Sequence, residues 1–133
     1  MKSIKLDSEP MQPKVTIEPD KGYILVEPVA GGDIWDLFEC FGKAFQVPDY
    51  PDANSIWVIP DGPLTLNYDD LYRIREMLLK NYPENAKPSR KVAIVVQTGL
   101  LTAMANEYIR IVADFPIEFQ VFPDLPKAEQ WIT

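Results

Sequence analysis

Two hydrophobic periods alternate along this chain. "KVTIE" (14–18) and "GYILVE" (22–27) are β-rich runs, and Pro19, Asp20 and Gly22 between them supply turn chemistry, so the pair reads as a hairpin. Val15 and Ile17 share one face of the first run. In the second, Tyr23 and Leu25 alternate with Ile24 and Val26, so both faces are apolar, as in an interior strand. The period then lengthens. In "GGDIWDLFECFGKAFQV" (31–47), Ile34, Leu37, Phe38, Phe41, Ala44 and Phe45 fall within one helical arc, flanked by Trp35 and Cys40, and Asp33 is placed to cap. "PDYPDANS" (48–55) stops that helix, because each proline fixes its own φ and restricts its predecessor.

The alternation continues to the end. "SIWVI" (55–59) is a short apolar strand, and a helix follows from about Tyr68 to Tyr82 with Leu71, Ile74, Leu78 and Tyr82 as its core stripe. Asn67 and Asp70 have the spacing of a capping box, with Asp in place of the usual Glu or Gln. "KVAIVV" (91–96) is the continuous apolar run of a strand covered on both faces. A third helix spans about 99–113. Its apolar arc (Leu100, Leu101, Met104, Ala105, Tyr108, Ile109, Ile111, Val112) covers half the cylinder, more than one core stripe needs. "PIEFQVF" (116–122) alternates as a strand, and "DLPKAEQWI" (124–132) makes a short helix capped by Asp124.

The order β-β-α-β-α-β-α-β-α predicts an α/β fold with a mostly parallel five-stranded sheet, right-handed crossovers and an antiparallel N-terminal strand near an edge. Residues 1–13 are expected to form a flexible arm and 14–133 a single domain. A chain of 133 residues buries roughly two-thirds of its unfolded surface, enough to fold without a disulfide or metal.

Composition narrows the chemistry. The net charge of −7 opposes the phosphate neutralisation that nucleic acid requires and disfavours an anionic membrane surface. Cys40 is the sole cysteine, which excludes an internal disulfide and fits a reducing compartment. No apolar run has the length of a signal peptide or membrane span, so a cytoplasmic protein without membrane anchoring is expected. With no histidine, Ser-His-Asp and Cys-His triads and the common zinc sets are excluded. No cofactor and no catalytic constellation is predicted.

Three stretches resemble the SpoIIAA-like superfamily, which contains STAS domains, SEC14-like proteins and small stand-alone bacterial proteins of unassigned function. They are "KVAIVV" leading into a helix, the ending "FPIEFQVFPDLPKAEQWI", and "YILVEPVAGGDIWDLFECF". The likeness spans roughly residues 14–132 and implies a SpoIIAA-like fold. In antagonist STAS proteins a serine at the start of the helix after the third strand is phosphorylated. Its place here falls near Asn67 or Tyr68, and the "D-S-[S/T]-G" switch is absent.

Several groups of residues are candidate sites. Asp61, Thr65, Tyr68, Asp69 and Asp70 gather acid and hydroxyl groups at the loop before the second long helix, where hard cations or a polar ligand could bind, and Asn67 beside them is a further ligand or switch candidate. Turn, cap and helix-dipole duties explain the same residue types. Gln97 and Thr98 open the third helix, either as an anion-binding turn or as a cap. Cys40 reads as a small packing residue. Trp35, Tyr50, Trp57, Met104 and Tyr108 are candidates for an apolar pocket, though core packing explains most of them. The excess width of the third helix predicts a homodimer interface through Leu101, Met104, Ala105, Tyr108, Ile109 and Val112. The expected function is a non-enzymatic binding or regulatory module of STAS-like type, with a protein partner, self-association or a small apolar ligand. Two other readings are a small carboxylate- or metal-dependent enzyme at the 61–70 loop, and a phospho-switch at Thr65 or Tyr68.

Overall fold

Nine elements follow one another in the computed structural model, which describes residues 14–18, 22–28, 32–47, 53–60, 66–81, 90–97 and 99–133. They are β1 (Lys14–Glu18), β2 (Tyr23–Glu27), α1 (Ile34–Phe45), β3 (Asn54–Val58), α2 (Tyr68–Asn81), β4 (Arg90–Val95), α3 (Gly99–Ile111), β5 (Ile117–Phe122) and α4 (Leu125–Ile132). The arm 1–13, the turn residues Pro19 and Asp20, and Tyr50, Asp61, Thr65, Tyr82 and Thr98 lie outside the described residues. The α/β class, the parallel sheet and the four helices agree with the sequence pattern.

Local chemistry sets the element ends. Gly22 enters β2 with φ +77°, a conformation that costs a Cβ-bearing residue energy. At α1 the Asp33 side chain accepts from the N–H groups of Trp35 and Asp36, while Asp36 Oδ2 accepts from Asp33 N–H at 2.9 Å. Gly32 stands so close to this box that a Cβ there would meet the Asp36 Cβ at 2.9 Å. At α2 the reciprocal pair is Asn67 and Asp70: Asp70 N–H donates to Asn67 Oδ1 at 2.9 Å, and Asn67 N–H donates to Asp70 Oδ2 at 3.0 Å. Asp124 caps α4 by accepting from Lys127 N–H at 2.9 Å.

The strands lie in the order β1-β2-β3-β4-β5, with β2 to β5 parallel to their neighbours and β1 antiparallel to β2. Consecutive order has a consequence for the helices. When every strand moves to the next place in the same direction by a right-handed crossover, every crossover helix lands on the same face. The packing has this form. Ile24, Val26, Trp57 and Val92 of the sheet share one core with residues of α1, α2 and α3. The chain is released from the constraint only after β5, and α4 takes the opposite face, setting Ala128 and Ile132 on Ile56, Ala93 and Val95.

Two polar devices tie these layers. Asn54 Oδ1 accepts from Lys91 N–H at 2.8 Å while its amide reaches the Ile132 carbonyl at 3.5 Å, joining β3, β4 and the end of α4. Arg75 of α2 donates to the Ile111 carbonyl at 3.0 Å and to both carboxylate oxygens of Asp114 at 2.7 and 2.9 Å, and it lies over the Phe115 ring. This fork clamps α2 to the end of α3. Its hydrogen bonds hold the Asp114 carboxyl below the usual carboxylate range.

Ser55 departs from polar satisfaction. Its register partners Ile24 and Val92 place it on the three-helix face, where it is fully buried and its hydroxyl has no hydrogen-bond partner among the described residues. An unpaired buried hydroxyl costs about 1–3 kcal/mol, and its removal is neutral or stabilising. Ser55→Ala is therefore expected to raise the unfolding free energy by up to about 1 kcal/mol, seen as a higher urea midpoint with an unchanged denaturant slope. A loss of stability in urea titration would show that the hydroxyl is engaged.

Candidate functional site

The side of the sheet that carries three helices is not fully filled. A cavity of about 110 Å³ lies between the sheet and helices α2 and α3. Its floor is one face of β4: Arg90, Val92, Ile94 and Val96 all line it. At roughly 3.3 Å per residue, these four side chains are spread over about 20 Å of strand. Leu71, Ile74 and Leu78 of α2 and Leu101, Met104, Ala105 and Tyr108 of α3 form the roof. Phe41 and Trp57 close one side with ring centroids 4.5 Å apart, and Ile117 and Phe119 close the other. Ile59 and Leu66 border it where β3 ends. Among the described residues that line it, Arg90 alone is charged.

The helix pattern explains why hydrocarbon lines this space. The stripe Leu71, Ile74, Leu78 predicted for α2 is buried against the sheet, while Arg73, Glu76 and Lys80 face water. The wide arc of α3 has two surfaces to cover. Met104 and Val112 join the core shared with α1 and α2, whereas Leu101, Ala105, Tyr108 and Ile109 pack with Ile94, Val96, Phe119 and Val121 at the β4–β5 end of the sheet. Within one chain the arc expected to form an interface has these packing duties. Leu101, Met104 and Val112 are buried and face inward, and Ala105, Tyr108 and Ile109 are half-buried against the sheet. The large apolar side chain that α3 does expose is Leu100, at 68%.

The other predicted residues lie outside this space. Asn67 and Asp70 serve each other as a cap, and Arg73 approaches the Asp70 carboxylate at 3.3 Å, so this acid is committed to the helix end. Tyr68 is exposed at the first turn of α2, and Gln97 is exposed after β4, at the same edge of the sheet. The structure brings these residues to one edge without joining them in a cluster. Asp61, Thr65 and Thr98 fall outside the described residues. Among the described residues no group of three or more His, Cys, Asp or Glu side chains stands where it could hold a metal ion. No helix among them is long and apolar enough to cross a membrane. Of the aromatic and methionine residues expected at a pocket, Trp57, Met104 and Tyr108 line the cavity, whereas Trp35 is exposed.

Arg90 is the residue that the sequence pattern missed. The predicted strand began at Lys91, but β4 starts at Arg90, in phase with Val92 and Ile94 on the core face. A charge in phase with an apolar face was the available signal. The buried Arg90 stands at the amino end of β4, opposite the edge where Asn67, Tyr68 and Gln97 gather.

Comparison with known proteins adds no relative: no family model matches the chain, and neither a curated protein nor a solved structure matches it.

Cys40 belongs to the interior of α1. Burial pushes its thiol from an ordinary 9.0 up to about 12, with Lys43 opposing the shift in small part. Because the thiolate is the nucleophile, this group is inert in the folded chain. The pH dependence follows from the sign. The folded value lies above the unfolded one, so the stabilising contribution of the neutral thiol is intact below pH 9 and is lost as pH rises toward 12. A chromogenic disulfide reagent at pH 8 should leave the native protein unmodified for hours and titrate one thiol in denaturant. Rapid modification without denaturant contradicts this burial.

Proposed function

We propose that this chain is a non-enzymatic binding module of SpoIIAA-like type, and that it holds a small apolar molecule between its sheet and helices α2 and α3. The cavity carries the reading. Interiors are packed to crystal density, and a void in hydrocarbon forfeits contacts that a ligand restores. An engineered apolar cavity of about 150 Å³ binds benzene or xenon, so a space of about 110 Å³ suits one small hydrophobic group. The strand order supports the same reading. A ligand crevice in open α/β sheets forms where the strand order reverses, and β2 to β5 run consecutively without reversal. The interior between layers, rather than the carboxyl edge, is then the place for a small molecule. One helix following each of the four parallel strands supports the SpoIIAA-like assignment.

Toluene tests the cavity directly. Its seven non-hydrogen atoms give roughly 4–5 kcal/mol, a dissociation constant of about 0.1–1 mM. Methyl-labelled protein should show shifts at Leu71, Ile74, Leu78 and Ile94, and Ala105→Leu, which fills the space, should abolish them. Absence of shifts at saturating toluene, or shifts spread evenly over the core, would reject the site.

A protein partner has its own observation. Tyr68, Tyr72 and Leu79 are all about half exposed or more and fall on one stripe of α2 by helical spacing, with Arg75 among them, a band of large exposed side chains. Self-association through this band stands beside the α3 interface expected from the sequence. Light scattering at high micromolar concentration should then give a dimer mass that Leu79→Glu returns to the monomer. A monomer mass for both proteins removes the dimer.

A further inference from the structure

We infer that the occupant of the cavity is an amphiphile with an anionic head, a short acyl chain ending in a carboxylate, with the head seated on Arg90 and the chain directed along β4 beneath α2 and α3. This rests on the reading of the cavity as a ligand site and adds the ligand's chemistry. The lining is polarised. From Val92 onward the floor is hydrocarbon, and the roof over it is Leu71, Ile74, Leu78 and Met104, whereas Arg90 stands at the amino end of the strand with only 3% of its surface exposed. The guanidinium places a positive charge beside an apolar space.

Shape and charge together select the ligand class. Lining side chains in single file along one strand face suit a short alkyl chain, and a space of about 110 Å³ keeps that chain short. A neutral hydrocarbon would leave the charged end without benefit, and a cation would be repelled there. A carboxylate matches the planar fork of the guanidinium in geometry and charge. Arg90 is already engaged within the protein. Its five N–H donors exceed what one carboxylate takes up, so that engagement and a ligand head are compatible.

Octanoate and octanol, which share a chain and differ in the head, separate the claims when each is titrated by calorimetry at pH 7 into the full chain. A charge-assisted hydrogen bond of the usual strength makes octanoate bind roughly 10- to 100-fold tighter. The Arg90 Nε–H resonance should shift with octanoate and stay in place with octanol, a readout that needs no variant. Arg90→Gln should bring the two affinities together, and Arg90→Lys should keep part of the preference. Equal affinities in the wild-type chain would overturn the anionic head while leaving the apolar site standing. A preference for octanoate that survives in a folded Arg90→Gln protein, or that leaves the Arg90 resonance unmoved, would overturn the placement of the head. Binding of neither compound would remove the site itself, and this inference with it.

Discussion

The handedness of three crossovers decides this structure. Parallel strands laid down in consecutive order force α1, α2 and α3 onto one side of the sheet, where they must cover it together. One face therefore carries a thick layer of three helices and the other the short α4. A layer of three helices has two seams. The seam between α2 and α3 is clamped at one end by Arg75 on Asp114 and the Ile111 carbonyl, and hydrocarbon fills most of what lies beneath. The space left under the roof is the cavity.

The same constraint gives the sheet no point where its parallel strands reverse order. A doubly wound sheet opens a ligand crevice at such a point, where its helices divide between faces. Four of the described polar residues at the carboxyl edge have local duties. Asn67 and Asp70 close the first turn of α2, and Asp33 and Asp36 close that of α1. The thiol at Cys40 is buried in its neutral form. What remains with both volume and polarity is the cavity along β4, hydrocarbon along its length and cationic at its amino end.

Much of this could be read from the sequence, and the reasons are specific. Hydrophobic period gave the elements to within one to three residues, because burial on one helix stripe or both strand faces leaves a strong mark. Side-chain oxygens at Asp33, Asn67 and Asp124 marked helix starts, because free N–H groups require them there. The wide arc of α3 was legible but ambiguous. An arc of that width suits a helix with an exposed patch and equally one that covers a sheet and a neighbouring helix, and period cannot separate the two. Arg90 lay hidden for a different reason. A basic residue after "NAKPS" reads as part of a polar linker, and only the register of β4 against Ile117 shows that its side chain is turned toward the core. Voids leave no trace in a sequence, since they arise from how layers meet rather than from the residues of any one layer.

The central claim is that one-sided winding leaves a hydrocarbon space between β4 and the pair α2–α3. A crystal pressurised with xenon examines this most directly, since xenon enters apolar cavities and avoids wet ones. The account predicts one dominant xenon site in contact with Ile94, Leu78 and Met104. Side chains closed over that position, or ordered water within it, would contradict the account.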